Sequence, residues 1–489
     1  MKATACIQWY KRYSSYHEYQ EAGDGNRIKG HTYGSGSGSK TKKNDDPAGR
    51  SMAVPTIISM LISSVYNMAD TYFVGKLHDI SATGAVGVVF SFMAVIQAVG
   101  FFFGHGSGNY ISRQLGKNHA ENAETMAATG FIWSFVCGFL VMAAGFLFQD
   151  KIVWALQATE TIYPYAMEYL TYILIASPFM CGALVLNNQL RFQGSAFYGM
   201  IGITSGGILN MLLDPLFIFT FRLGVAGAAI ATMISQMVSF FVLLIMVNKS
   251  DAIKIKIKKF SFSFRWLKEI FRGGIPSLCR QGIGSVSTMC LNAGAGYVGV
   301  VMGTGDAPIT AMTVVTKVVY FASSALIGFG QGFQPVCGYN YGAGLYGRVK
   351  KAFWFCVKTS SAVLLLFSVA GIIFAPQLIA FFQKEPEVVS FGAVSLRYQC
   401  FTFALSGWIV ICNMMQQTMG KAVRASILAL SRQGLMFIPL VLILPRVIGP
   451  LGLQIAQPIA DILTFLIAIP LQVSILKEMK EEKLRQAAA

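Results

Sequence analysis

Two acidic residues lie where charge is expensive. Asp70 sits in Tyr66-Asn67-Met68-Ala69-Asp70-Thr71 and Asp214 in Asn210-Met211-Leu212-Leu213-Asp214-Pro215, each within a long apolar run. An ionisable group at that depth in a membrane span is a functional candidate by default. Asn210 and Asp214 are four residues apart, so they share one helix face. Pro215 lacks an amide hydrogen and can free a carbonyl near Asn210–Met211. Two carboxylates, an amide oxygen and nearby hydroxyls make a hard-oxygen cage suited to Na⁺. Desolvated, mutually repelling carboxylates suit the carriage of H⁺ equally well. The plainer reading pairs each acid with a base or puts it at a water boundary. Against it, the first six apolar runs hold basic residues only at their ends.

The second half of the chain carries a different set: Arg280, Lys317, Arg397 and Asp461. The positions matching Asp70 and Asp214 there are approximately Asn292 and Leu440, so the acidic pair is not duplicated. A structural network is expected instead, Asp461 pairing with Lys317 or Arg280. The tract Gly104-His105-Gly106-Ser107-Gly108 lacks the Gly-Lys-Ser/Thr of a phosphate loop, and its glycines read as points of close helix approach. His17 to Glu21 spells HExxE without the second histidine of a zinc helix. The nine cysteines lack metal-binding spacing and read as free buried thiols. Of five histidines only His105 falls in an apolar run, and no DDxxD, HExxH or nucleophile elbow is present, which argues against a membrane enzyme.

The elements that must position these residues follow from composition. The chain has 489 residues, 54% hydrophobic and 12% charged, enough to fill a dozen spans of about 20 apolar residues. Uninterrupted apolar runs exclude the alternating strands of a membrane barrel. The fold class expected is all-α and integral to the membrane, with spans at 53–74, 82–110, 124–148, 164–187, 197–220, 225–247, 275–300, 308–336, 353–382, 392–416, 426–444 and 451–474. The net charge of +17 gathers in alternate loops rather than marking a nucleic-acid binder. Lys249 to Arg272 alone holds eight bases against Asp251 and Glu269, and Arg191 and the stretch Lys421 to Arg432 are counted with the same set of loops. The positive-inside rule then puts both termini in the cytoplasm. Abundant Phe and Met (37 and 22) suit an adaptable apolar cavity as well as lipid-facing surface.

The halves repeat. Gly104, Gly106 and Gly116 are matched by Gly330, Gly332 and Gly342, and Gly194 by Gly420, all 226 residues apart. Ala53-Val54-Pro55 and Gly274-Ile275-Pro276 open the first and seventh spans, 221 apart. The organisation expected is a polar flexible tail (1–50, with the Gly34–Ser39 linker-like tract), a six-helix bundle (51–248), a basic linker (249–272), a second bundle (273–476) and a tail (477–489). Two such bundles, related by a pseudo-two-fold axis along the membrane normal, suit rocking about a shared cavity.

At this point the sequence resembles the multidrug and toxic compound extrusion (MATE) family of antiporters over about 52–476. The resemblance is carried by Pro55…Tyr66-Asn67-Met68-Ala69-Asp70-Thr71, Asn210…Asp214-Pro215, Gly274-Ile275-Pro276-Ser277…Arg280-Gln281, Gly332…Gln334-Pro335…Tyr339-Asn340-Tyr341-Gly342-Ala343 and Arg191-Phe192-Gln193-Gly194. The span 7 pattern, without an acid, is more similar to the DinF-like than to the NorM branch, whose second-bundle acids are missing here. The tail departs from the family, whose chains usually start shortly before the first span. The resemblance implies a coupling site at Asp70, Asn210, Asp214 and Thr232, holding Na⁺ if the exchange is sodium-coupled. Tyr66, Asn187 and Arg280 are candidates for the substrate cavity. The implied activity is export of amphipathic, often cationic drugs or toxic metabolites in exchange for Na⁺ or H⁺, by a plasma-membrane monomer that uses no other cofactor and binds no nucleic acid. The alternative is a flippase for a lipid-linked oligosaccharide, with Arg280, Lys317 and Arg397 meeting pyrophosphate.

Overall fold

The computed structural model describes residues 48–488 apart from 78–79, 157 and 251–252, and helix is the sole regular structure among them. The tail expected over 1–50, with its HExxE, lies almost wholly outside the described residues. In a hydrocarbon setting a helix satisfies each backbone amide within its own segment, so apolar runs of this length have little choice. Twelve spanning elements result: α1 (Ala48–Gly75), α2 (Ile80–Gly116), α3 (Ala120–Leu147), α4 (Tyr163–Phe192), α5 (Ala196–Pro215), α6 (Gly224–Lys249), α7 (Phe264–Met302), α8 (Ala307–Gly342), α9 (Tyr346–Ile373), α10 (Pro386–Phe403 and Leu405–Thr418), α11 (Ala422–Ile448) and α12 (Pro450–Ala488). Among the described residues, eleven helices are each long and apolar enough to cross a membrane, and the two pieces of α10, bent by 54°, make a twelfth.

Three boundaries differ from expectation. α7 begins at Phe264 inside the expected linker, because Trp266 and Ile270 bury an apolar face against α2. Of the expected linker, 253–263 remain outside α6 and α7 and are strapped to α3. Lys259 and Lys256 pair with Glu124 at 2.5 and 3.2 Å, Ser261 donates to Thr129 at 3.3 Å, and Phe262 packs on Trp133. The expected C-terminal tail is a continuation of α12, whose Glu478 pairs with Lys421 and Arg424 at 2.7 Å each. The ninth span stops at Ile373 and restarts as Ala375–Phe382, where Pro376 opens a new first turn.

Each bundle has its own core. One surrounds Val89, Ile96, Tyr169, Leu170, Ile173 and Ile218, the other Val298, Val315, Leu396, Val441 and Leu453. The repeat read from glycine spacing is physical. A methyl on Gly116 would lie 2.1 Å from the Tyr339 carbonyl, and a methyl on Gly342 2.1 Å from the Arg113 carbonyl. Both members of each pair are 226 apart, so the contacts are exchanged by one pseudo-two-fold axis. Gly194 and Gly420 share the left-handed backbone (φ +89° and +78°), as do Asn118 and Gly344 (φ 61° and 75°) at the same offset.

The bundles meet at the side that carries the basic loops and both described ends. There α2 crosses α7 with Gly106 against Ile270 and Gly274 against Phe102, while α8 crosses α1 with Gly328 against Ile57 and Gly332 against Ala53. Only residues without a side chain let backbones approach this closely.

Candidate functional site

The first-bundle site is built by a stripe on α5. Gly202, Gly206, Asn210 and Asp214 recur every fourth residue and so share one face. Gly202 meets Leu243 and Gly206 meets Ser235 and Ser239, which draws α6 close, and the same register delivers Asn210 to Thr232 one to two turns on. Gly207, on the neighbouring face, does the same for α1, meeting Ile62 and Tyr66. Pro215 follows at once and withholds the amide that would bond the Met211 carbonyl; the chain continues as a π-turn, Leu216–Thr220. Such single-turn insertions often accompany functional sites.

The Asn210 amide donates to Asp214 Oδ1 and to Thr232 Oγ1, both at 3.2 Å. Asn210, Asp214 and Thr232 are buried, and Asp70 is half-buried on α1. Asp70 is close enough to Asp214 for their charges to interact. Tyr169, wholly buried on α4, turns its phenol toward Asp70 and Thr232. Three oxygens are buried here without a hydrogen-bond partner: Asp70 Oδ1, Asp214 Oδ2 and Asn210 Oδ1. Neither acid belongs to any of the ion pairs found among the described residues. Each unmet buried oxygen costs roughly 1–3 kcal/mol, and more when it is charged. Convergent unmet oxygens with no base among them fit a small cation or a proton. No group of three His, Cys, Asp or Glu side chains able to hold a metal ion occurs among the described residues, so the donor set is one of carboxylate, amide and hydroxyl oxygens.

The structure thus brings together Asp70, Asn210, Asp214 and Thr232, with Tyr66 beside them. Asn187 does not join them. It lies eighteen residues past Tyr169 on α4, about 27 Å along the helix, and packs on Gly199. Arg280 lies elsewhere again, at the bundle interface. Sequence reasoning missed Tyr169, which is one tyrosine of several in an apolar run with no local signal.

It also misplaced two arginines. The charge pattern places Arg191 with the loops, yet α4 runs through it and it is 3% exposed. It donates to Gln331 of the other bundle, to Asn188 at 2.5 Å and to His105 Nε2 at 3.3 Å. A guanidinium only donates, so His105 accepts at Nε2 and carries its proton on Nδ1. That nitrogen faces Ser277 Oγ at 3.1 Å, which in turn accepts from Gln417 at 2.7 Å. His105 and Arg191 are therefore interface residues, joined by Arg113, which donates to the Thr418 carbonyl at 2.6 Å and pairs with Glu269 at 3.3 Å.

Arg432 is the second. The π-turn Ser431–Leu435 in α11 swings it inward, where it pairs with Asp461 at 2.8 Å and donates to Ser406 at 2.8 Å. Gln457 and Thr402 complete the Asp461 carboxylate at 3.0 and 3.4 Å. The expected partners of Asp461, Lys317 and Arg280, are not its partners. Lys317 is exposed, and Arg397 is exposed and donates to the Ile372 carbonyl at 3.3 Å. A structural network does occupy the second bundle, and it braces both sides of the α10 break. The eight described cysteines are free.

Comparison with known proteins decides the family. The MatE family matches residues 55–216 and 288–443, one stretch in each bundle and well over half of the chain. The chain belongs to the MatE family. Among curated relatives, the multidrug export protein MepA of Staphylococcus aureus (strain MSSA476) is 26% identical over 419 residues, covering 85% of this chain and 91% of that one. Among solved structures, a MATE in complex with MaL6 superposes with a TM-score of 0.84 at 24% identity, covering 89% of this chain and 97% of that one. An outward-facing multidrug resistance MATE transporter of the MOP superfamily gives 0.83 at 24% identity, covering 89% and 96%. This MatE protein therefore has the twelve-helix, two-bundle membrane fold of those transporters.

Proposed function

We propose that this protein is a secondary antiporter that exports amphipathic, often cationic organic compounds in exchange for Na⁺ or H⁺, with Asp70 and Asp214 as the exchange groups. The observation that carries the proposal is the set of three buried, unpartnered oxygens, two of them from carboxylates, without a base among them. Those groups hold a cation more favourably than they hold nothing, and a cation that arrives from one side and leaves on the other couples its gradient to the bundles. Asp70 would ligate with Asp214, while Asn210 and Thr232 supply neutral oxygens and Tyr169 closes the site. The role of its relatives in multidrug export supports the same reading.

Orientation follows from charge. The basic loops and both termini face the cytoplasm by the positive-inside rule, in a plasma membrane, and the protein acts as a monomer. The contacts of Gly106, Gly116, Gly274 and Gly342 then close the cytoplasmic side, which is the arrangement that faces outward. Discharge of substrate outward and uptake of the coupling cation belong to this state. The branch preference read from span 7 agrees with a first-bundle site. A flippase reading has less support, because Lys317 and Arg397 do not converge with Arg280.

In everted vesicles, an imposed Na⁺ or proton gradient should drive uptake of a fluorescent cation, and Asp70→Asn should abolish it at normal expression. Uptake by Asp70→Asn at the unmodified rate would remove Asp70 from the site.

A further inference from the structure

The segment that joins the bundles runs along α3, with charges at one end and rings at the other. Ile253 and Ile255 turn inward onto the first bundle's buried side chains, and the Ile253 amide donates to Gln193 Oε1 at 2.6 Å. Alternation in an extended chain then turns Lys254 outward, where it is exposed. Lys256 and Lys259 are held by Glu124, close to the start of α3. Phe262 packs on Trp133, with ring centroids 5.2 Å apart. From Glu124 to Trp133 the helix rises by about 14 Å. A headgroup layer is about 5–8 Å thick, so a strap with its bases at headgroup level carries its rings to the acyl boundary.

The outward side of this segment is both apolar and basic. Ile257, Phe262 and Phe264 are 72%, 73% and 77% exposed. Lys249, Lys254 and Lys258 are exposed too, and none of the ion pairs among the described residues includes them. Glu269, an acid of the same basic stretch, is already shared by Arg113 and Arg272. Large apolar side chains left in water beside unneutralised ammonium groups are unfavourable on a soluble connector. Together they are the two halves of an interfacial segment, whose bases meet anionic headgroups while its rings enter the acyl boundary. The cytoplasmic leaflet supplies the complementary negative charge.

We propose that Lys249 and the segment 253–264 form a docking surface for anionic phospholipids of the cytoplasmic leaflet. Lys249, Lys254 and Lys258 meet the lipid phosphates, and Ile257, Phe262 and Phe264 lie between the upper acyl chains. The long lysine stems let the ammonium groups stay at the phosphates while the backbone rests lower. The docked segment leads directly into Trp266 and Ile270, which pack α7 on α2. Leaflet charge therefore bears on the closed side of the molecule.

The test follows acetylation of individual lysines by N-hydroxysuccinimidyl acetate, an uncharged reagent, with mass spectrometry as the readout. The full-length protein is compared in nanodiscs of phosphatidylcholine and of equal parts phosphatidylcholine and phosphatidylglycerol. Lys117, exposed in the α2–α3 turn on the same side but without flanking rings, is the internal reference. Phosphatidylglycerol should slow Lys254 and Lys258 about fivefold relative to Lys117, the factor for one base held at an anionic surface. Raised salt should restore the rates by screening. Phe262→Ser combined with Phe264→Ser should lose most of the protection, although no charge has changed. Equal rates in the two lipids, or equal slowing at Lys117, overturn the proposal, and both are read on the unsubstituted protein. Full protection in the double serine variant overturns the insertion of the rings. Protection reproduced by inorganic phosphate in phosphatidylcholine nanodiscs assigns the lysines to free phosphate and overturns the lipid surface.

Discussion

Gly106→Ala is the sharpest perturbation of the closed side. A Cβ there would stand 2.4 Å from the Ile270 carbonyl oxygen, 2.9 Å from Ile270 Cγ2 and 3.0 Å from its Cα. Two of those three atoms are backbone of α7, which no side-chain rotation can move aside. Reaching ordinary contact of about 3.4 Å means parting α2 and α7 by about 1 Å, an overpacking that costs roughly 1–3 kcal/mol. Helix propensity favours alanine by about 1 kcal/mol, but it does so in every conformation in which α2 is a helix, so it cancels between closed and open states. The closed population should therefore fall by about 5- to 150-fold relative to the open one. Gly282→Ala, in the facing helix α7 and with nothing within 4 Å, is the control. Amide hydrogen exchange in detergent reads the result directly. Peptides over 102–117 and 265–277 should exchange faster in Gly106→Ala and not in Gly282→Ala. Exchange equal to the unsubstituted protein would refute the claim that these glycines set the closure.

Other outcomes follow from the same contacts. Arg432→Leu or Asp461→Leu alone should lower stability by about 3–5 kcal/mol by leaving a buried charge unpaired, whereas the double substitution should restore most of it; thermal unfolding in detergent measures both. Tyr169→Phe removes the hydroxyl turned toward Asp70 and Thr232 and should weaken cation-dependent dye release while leaving folding intact, as read by release against Na⁺ concentration or pH. His105→Phe deprives Arg191 of an acceptor, and should slow transport and raise hydrogen exchange over 186–194.

The sequence carried the fold well because each span is an apolar run whose backbone has one good solution, and because the glycine repeat records helix crossings directly. Asn210 and Asp214 were legible from their i, i+4 spacing and Asp70 from its depth. Thr232 came from resemblance alone, and its contact with Asn210 depends on Gly202 and Gly206 drawing α6 in. Arg191 is misread because a base near a helix end looks like a loop base, and sequence does not tell whether the chain turns outward or buries it. For Arg432 the deciding feature is a π-turn, which shifts the register by one residue and leaves no signature in composition. The linker failed similarly, since Trp266 and Ile270 form a short apolar face hidden among the bases that mark the loop.

The central claim is that the buried carboxylates of the first bundle couple export to an ion. Reconstituted protein, loaded with a fluorescent cation and given a Na⁺ gradient or a pH gradient separately, tests it most directly. The account predicts that at least one gradient drives dye movement and that Asp70→Asn and Asp214→Asn each abolish the gradient-driven part. Gradient-driven movement that survives both substitutions would contradict it.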